Sequence, residues 1–102
     1  MKEAKGLCFS FAFGLATSAK LILCHGRING TESVHAWVED ENGNVKDWQT
    51  DQGLRPGAPQ GGWWTPGQFK ERFEPAYLET YTPHEAWKKG LRSGHYGPWD
   101  KN

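Results

Sequence analysis

The most apolar stretch of the chain lies near its N-terminus. Between Leu7 and Lys20 the apolar residues cover every side of a helical wheel, as Phe9, Phe11, Phe13, Leu15 and Ala16 show. A helix that is apolar all round is typical of the middle of a small domain. The pattern therefore predicts a buried helix over residues 7–20, with Gly6 as its N-cap.

Three strand patterns follow this helix. Residues 21–28, LILCHGRI, predict a first strand, and Asn29-Gly30 is a strong turn signal after it. Residues 33–50, SVHAWVEDENGNVKDWQT, alternate around a Gly-containing turn and predict a β-hairpin. This hairpin contains both a histidine and an aspartate, so its register bears on function.

The loop length of the hairpin decides which side chains share a face. A two-residue turn would send His35 and Asp47 to opposite faces of the sheet. A three-residue loop over 41–43 favours the left-handed conformation at its last position, which Gly43 occupies. That register puts Asp47 diagonal to His35 on one face, so we expect the carboxylate to reach the imidazole. The alternative is a hairpin on which both side chains are simply solvated.

The second half of the chain carries clear boundary signals. Residues 53–62, GLRPGAPQGG, have no periodicity and predict a loop, and residues 76–81, AYLETY, predict a strand. Two short helices are predicted by a capping threonine before a proline, with Gln or Glu three residues after the cap: Thr65-Pro66 with Gln68, and Thr82-Pro83 with Glu85. The tail from residue 93 is turn-like.

The predicted order is helix, three strands, long loop, helix, strand and helix, without an internal repeat. A chain of 102 residues suits one domain with a single core, so we expect one domain over residues 1–102. The fold class that this order favours is α+β, with a buried N-terminal helix packed on an antiparallel sheet.

Charge and hydropathy narrow the range of partners. The chain has twelve basic residues (Lys and Arg) and twelve acidic residues (Asp and Glu), so its formal charge is zero. No basic stripe indicates a nucleic-acid partner. No apolar run reaches the roughly 18 residues of a membrane span. We expect a cytoplasmic protein, or a secreted one if the lysines and apolar run of residues 1–20 act as a signal peptide.

The two cysteines, Cys8 and Cys24, allow several uses. A disulfide between them is an alternative, although two cysteines are too few for a secreted disulfide framework. A zinc site using both cysteines with His25 and His35 lacks the short paired spacings of metal knuckles. Adjacent Cys24 and His25 should also point to opposite faces of their strand. We therefore expect neither a metal nor an organic cofactor.

Cys8 is the candidate nucleophile. At the start of the predicted helix, unsatisfied backbone N–H groups and the helix dipole would favour its thiolate. A sulfur there, a histidine on one strand and an acid on the next is the arrangement that activates a thiol for acyl transfer. The alternative is a buried structural cysteine beside Phe9, and Cys24 in mid-strand is the better case for such a thiol.

Three segments carry a family resemblance: CFSFAFGLA around Cys8, VHAWVEDENG around His35 and VKDW around Asp47. They resemble the Cys, His and Asp segments of transglutaminase-like cysteine enzymes in the papain-like superfamily. HAWVE is also similar to the histidine strand of lasso-peptide leader peptidases. The resemblance covers about residues 7–50. It implies a minimal papain-like, transglutaminase-like core with Cys8 as nucleophile, His35 as general base and acid, and Asp47 as the residue that orients the imidazole.

The implied activity is cysteine-dependent amide hydrolysis or acyl transfer on a peptide or protein, most simply that of a thiol peptidase. We expect the backbone N–H of Cys8 and one further donor to hold the carbonyl oxygen. Trp37, Trp63 and Trp64 are candidate walls of a substrate cleft, which the 51–64 segment should border. The rival hypothesis is a catalytically inactive binding module that presents an aromatic groove to a protein partner.

Overall fold

A computed structural model describes residues 2–59 and 61–99 of the chain, with residues 2–6 described as backbone only. It contains four helices and four strands within these ranges. In chain order they are α1 (Lys2–Ala19), β1 (Ile22–Arg27), β2 (His35–Glu39), β3 (Val45–Lys46), α2 (Trp48–Asp51), α3 (Pro66–Phe73), β4 (Ala76–Tyr81) and α4 (Pro83–Ser93).

The strands form one sheet in the order β3-β2-β1-β4, and every neighbouring pair is antiparallel. Helix α1 packs on one face of this sheet, with α4 beside it. The opposite face is covered by α3. The predicted α+β fold, a helix packed on an antiparallel sheet, is therefore confirmed.

Two apolar clusters lie on the two faces of the sheet. We call the first the α1-side cluster; its buried members are Phe9, Ala12, Phe13, Ala16, Leu23, Ala36, Val38, Tyr81 and Ala86. We call the second the α3-side cluster; its buried members are Cys24, Ile28, Trp37, Val45, Trp64, Phe69 and Phe73. Because successive residues of a strand point to opposite faces, strands covered on both sides contribute to both clusters.

The predicted starts of the two helices in the second half of the chain are confirmed. Thr65 and Thr82 cap α3 and α4, and each forms a full capping box with the Gln or Glu three residues later. Strand β4 has the predicted bounds. These local signals work because a side-chain cap satisfies backbone N–H groups that the helix itself leaves unpaired.

Helix α1 differs from its prediction at its start. It begins at Lys2, so Gly6 lies inside the helix and the prediction that Gly6 is the N-cap is wrong. The helix is also covered on one side only. Phe9, Ala12, Phe13 and Ala16 are buried against the sheet, whereas Leu7 is 44% exposed. A helix that is apolar all round does not reveal which of its faces is covered.

The hairpin has the predicted register. Glu39 pairs with Val45 and Val38 with Lys46, which leaves a three-residue loop over 41–43. Gly43 adopts a φ of +82° and its N–H donates to Asp40 O at 3.0 Å. The odd loop length and the left-handed Gly43 are therefore confirmed.

Strand β3 is shorter than the sequence suggests. It ends at Lys46, and the next residue, Asp47, is the N-cap of the short helix α2, which was not predicted. The strand alternation that was used to place Asp47 on the same face as His35 therefore stops one residue before Asp47. Within the described ranges, no helix is both long and apolar enough to cross a membrane.

Candidate functional site

The thiol of Cys8 lies at the edge of the sheet, against the backbone of β2. Its Sγ donates to Ala36 O at 2.9 Å and accepts from Ala36 N at 3.2 Å. Backbone N–H and C=O groups lie in the plane of a sheet, so the sulfur sits beside β2 where β3 no longer pairs with it. This contact brings Cys8 to the strand that bears His35.

The position of Cys8 within α1 corrects two predictions. Because the helix begins at Lys2, Cys8 stands in its second turn rather than at its start. Only the first four N–H groups of a helix lack intrahelical partners, and the dipole acts mainly within the first turn. The positive end of the helix dipole is therefore too far away to stabilise a Cys8 thiolate. The backbone N–H of Cys8 is not free to bind a carbonyl oxygen either, because it lies beyond the first turn of the helix.

The environment of Cys8 favours the neutral thiol. Burial raises the pKa of Cys8 to about 11, and the nearby Asp47 carboxylate adds to the rise. The hydrogen bond from the Ala36 backbone and the charge of Arg55 act in the opposite direction without cancelling it. The expectation of a resting thiolate is wrong for this arrangement, because desolvation disfavours the charged form.

His35 is the first residue of β2 and is half-buried. It pairs with Gly26 of β1 and directly precedes Ala36, whose backbone holds the Cys8 thiol. Strand alternation assigns His35 to the same face as Trp37, opposite the α1 face. This register does not by itself bring the imidazole to the sulfur, so the expected approach of His35 to Cys8 stays a prediction.

Asp47 is buried, and both of its carboxylate oxygens have partners. Oδ1 accepts from Thr50 N at 2.8 Å, which caps α2, and Oδ2 lies 3.2 Å from Arg55 Nη2. A carboxylate has about four lone-pair positions, so it can accept a further bond from an imidazole. The predicted contact between Asp47 and His35 is not tested by these bonds.

Arg55 was missed by the sequence analysis. Its guanidinium is paired with Asp47 and lies over the ring of Phe73, with 4.8 Å between Cζ and the ring centroid. The signal that could have found it is simple: Arg55 is the only charged residue in the 53–62 segment, which follows Asp47 closely in the chain. A buried carboxylate requires a partner of this kind.

The three candidate cleft tryptophans separate into two groups. Trp37 and Trp64 are only 1% and 3% exposed and belong to the α3-side cluster, so they are core residues and their assignment to a cleft wall is wrong. The core role of Trp64 is reinforced by its Nε1, which donates to Thr50 Oγ1 at 2.7 Å. Trp63 is half-buried, packs against the α1-side cluster that Cys8 also borders, and stays a candidate.

The other cysteine and histidine have structural surroundings. Cys24 and His25 point to opposite faces, as predicted: Cys24 joins the α3-side cluster, whereas His25 contacts Phe9, Tyr81 and Trp99. Both cysteines are free thiols, so the disulfide alternative is wrong here. Among the described residues, no three His, Cys, Asp or Glu side chains converge as metal ligands would.

Comparisons with known proteins add no assignment: no protein family, no curated protein and no solved structure was found to match this chain. The resemblance of residues 7–50 to transglutaminase-like enzymes therefore rests on the Cys8, His35 and Asp47 segments themselves.

Proposed function

We propose that this protein is a cysteine-dependent amide hydrolase or acyltransferase, most simply a thiol peptidase acting on a peptide or protein. Cys8 would be its nucleophile, His35 its general base and acid, and Asp47 the residue that orients the imidazole. One observation supports this proposal more than any other: Cys8 Sγ lies within 2.9 Å and 3.2 Å of the backbone O and N of Ala36, the residue after His35. Residues far apart in the sequence thus share one sheet edge.

The raised pKa of Cys8 selects one form of the mechanism. A thiol that is neutral at rest needs a base at the moment of attack, as a serine hydroxyl does. In the proposed reaction Cys8 Sγ forms a bond to the amide carbonyl carbon while its proton passes to the His35 imidazole. The imidazolium then gives this proton to the leaving amine as the C–N bond breaks, which leaves a thioester.

The second half of the reaction uses the same groups. Water attacks the thioester while the His35 imidazole takes one of its protons. The imidazolium then returns this proton to Sγ as the C–S bond breaks, which gives a carboxylic acid, the free thiol and a neutral imidazole. An amine in place of water would give transamidation, and a glutamine side chain as the donor would give deamidation. Asp47, held by Thr50 and Arg55, would fix the imidazole tautomer throughout.

The proposal is tested by acyl transfer to Cys8 from a small activated ester, p-nitrophenyl acetate. Rapid mixing followed by peptide mapping should place one acetyl group on Cys8 and leave Cys24 unmodified. Cys24→Ser is the matched control and should acylate like the wild type, whereas Cys8→Ser should release nitrophenolate no faster than the buffer does. Acetyl groups distributed over lysines, with Cys8 free, would contradict the proposal.

A second candidate is favoured by a different observation. The Cys8 thiol is both donor and acceptor to one backbone residue and has a pKa near 11, which also suits a purely structural thiol. The protein would then be an inactive binding module on the same scaffold. This hypothesis expects Cys8 to resist acylation at neutral pH with or without His35.

We further propose a cytoplasmic location, because two free thiols suit a reducing compartment. The balanced charge of twelve cationic and twelve acidic residues supports a peptide or protein substrate rather than nucleic acid.

A further inference from the structure

An apolar stripe runs along the solvent side of α4, and its helical members Trp87 and Leu91 do not belong to either buried cluster. Trp87 and Leu91, one helical turn apart, are 51% and 68% exposed, and Tyr96 just beyond the helix is 52% exposed. The helix packs through Ala86 and Gly90 on the adjacent flank, about 100° around the helix, where Gly90 lies against the ring of Phe13. Large apolar side chains exposed together usually mark an interaction site.

The stripe is bordered by two grooves that share Trp87 as a wall. One groove of about 710 Å³ lies between the C-terminal end of α1 and the start of α4, with Lys20 and His84 among its lining residues. The other, of about 330 Å³, lies beyond Trp87 and is lined by Leu91 and Tyr96. A ridge with a depression on each side can receive two neighbouring side chains of one bound segment.

Cations outnumber carboxylates around this surface. Lys20 lines the larger groove, and no carboxylate is among the described residues that line either groove. Lys88 and Arg92 are exposed on the helix surface next to the stripe. Glu85, whose carboxylate accepts from Thr82 N in the capping box, is the nearby acidic residue on this helix, and it is outnumbered by Lys20, Lys88 and Arg92. An acidic partner would therefore meet complementary charge, and a basic one would be repelled.

We propose that the α4 surface formed by Trp87, Leu91 and Tyr96 binds an acidic peptide segment of a partner protein, with apolar side chains seated in the two grooves. This inference does not depend on Cys8 chemistry. A second copy of the chain fits less well, because a two-fold contact through this surface would bring like charges of Lys88 and Arg92 together. A membrane fits less well too, since a ridge between two grooves is not a flat apolar face.

The surface is preformed, which makes the proposal testable with short peptides. Helix α4 has a full capping box at its start and a left-handed Gly94 at its end, and it packs against α1 through Gly90, whereas Trp87 and Leu91 are exposed. Substitutions of Trp87 and Leu91 should therefore leave the fold intact. Leu54, which is 59% exposed in the 52–59 segment, provides a matched control for loss of an exposed apolar side chain.

The experiment is a titration of the full chain, labelled with ¹⁵N, with a synthetic 14-residue amidated peptide of Glu and Ala that carries two leucines four positions apart. A second peptide has Lys in place of each Glu. We expect saturable amide shifts confined to α4 and the C-terminal end of α1 for the acidic peptide only. Affinity should fall roughly tenfold or more in Trp87→Ser/Leu91→Ser and about fivefold in Lys88→Glu/Arg92→Glu, and should be unchanged in Leu54→Ser.

Several outcomes would overturn the proposal. Equal binding of the two peptides would show apolar adhesion without charge recognition, and absent or unsaturable shifts would show that the surface takes no such ligand. A dimer in sedimentation that dissociates in Trp87→Ser/Leu91→Ser would assign the surface to a second copy. Binding to phosphatidylglycerol vesicles that the acidic peptide does not compete with would assign it to a membrane.

Discussion

The thiol of Cys8 and the backbone of Ala36 form a reciprocal pair, in which Sγ–H donates to Ala36 O at 2.9 Å and Ala36 N–H donates to Sγ at 3.2 Å. The contact occurs where β3 has ended and β2 has lost its neighbour on that side. The sulfur thus satisfies two backbone groups that a strand would otherwise have paired. These two hydrogen bonds hold the thiol against Ala36, the residue that follows His35 in the sequence.

The first prediction distinguishes the contribution of Cys8 to stability, through its hydrogen bonds, from its role as a nucleophile. Cys8→Ala should lower the free energy of unfolding by about 1–3 kcal/mol, because the partly buried N–H and C=O of Ala36 lose their partner. Cys8→Ser keeps a donor and an acceptor at this position and should recover part of that loss while abolishing acylation. Urea unfolding followed by circular dichroism measures both. If Cys8→Ala were as stable as the wild type, the bonds to Ala36 would contribute nothing.

A second prediction concerns the charge of Asp47. Asn is as good an N-cap as Asp, so Asp47→Asn should preserve α2 while it removes the negative charge. Through space that charge raises the pKa of Cys8, so its loss alone would speed reactions of the thiolate. If Asp47 orients His35 as proposed, acylation should instead slow by roughly tenfold or more.

The sign of the change therefore discriminates between the two roles of Asp47. The sign is obtained by measuring the initial rate of acetylation of Cys8 at pH 7, by mass spectrometry, in the wild type and in Asp47→Asn. A faster reaction in the variant would mean that the carboxylate acts on Cys8 only as a nearby charge.

The third prediction concerns His25 and acid stability. The side chain is 3% exposed among Phe9, Tyr81 and Trp99, and burial lowers its pKa from 6.5 to about 4. Between these two values the unfolded chain binds a proton that the folded protein does not. The free energy of unfolding should therefore be unaffected by His25 above pH 6.5 and should decrease as the pH falls from 6.5 towards 4. The total decrease due to His25 is about 3 kcal/mol.

Thermal unfolding from pH 4 to pH 7 measures this dependence. His25→Phe, which cannot be protonated, should flatten the curve across that window even if its absolute stability differs from that of the wild type. An unchanged slope in His25→Phe would assign the acid sensitivity to other groups.

A fourth prediction tests the contact between α4 and α1. A Cβ at Gly90 would lie 2.5 Å from Phe13 Cζ, and the Phe13 ring is itself confined by Tyr96 and Trp99. Gly90→Ala should therefore destabilise the protein by about 1–3 kcal/mol through overpacking. Gly67→Ala in α3, where a Cβ meets nothing within 4 Å, should be neutral or stabilising by about 0.4–1 kcal/mol. Equal effects of the two substitutions would contradict the close contact.

The parts of the fold that were predictable from sequence are those that depend on local chemistry. The two Thr-Pro caps predicted the starts of α3 and α4, and Gly43 predicted the hairpin register. Each of these features is decided by a few neighbouring residues whose backbone requirements are stringent. The class of fold followed from the order of such elements.

The features that were not predictable depend on contacts between distant residues. Trp37 was a candidate cleft wall, but α3 covers its face of the sheet and buries the ring against Phe69. Asp47 was placed on a strand, but its side chain caps α2 and pairs with Arg55. An apolar wheel predicted α1 and could not show that the helix extends back to Lys2, which removes the terminal dipole from Cys8.

The pairing of Cys8 with His35 is the central claim, and the pH dependence of Cys8 acylation tests it most directly. Rates with p-nitrophenyl acetate would be measured from pH 5 to pH 10 in the wild type and His35→Ala, with Cys24→Ser as the background of both. If His35 takes the thiol proton, the wild type should already react at neutral pH, and the rate there should be about 10²–10⁴ lower in His35→Ala. A rate that stays low until pH 9 or above, as a thiol with a pKa of about 11 requires, and that does not change in His35→Ala would contradict the account.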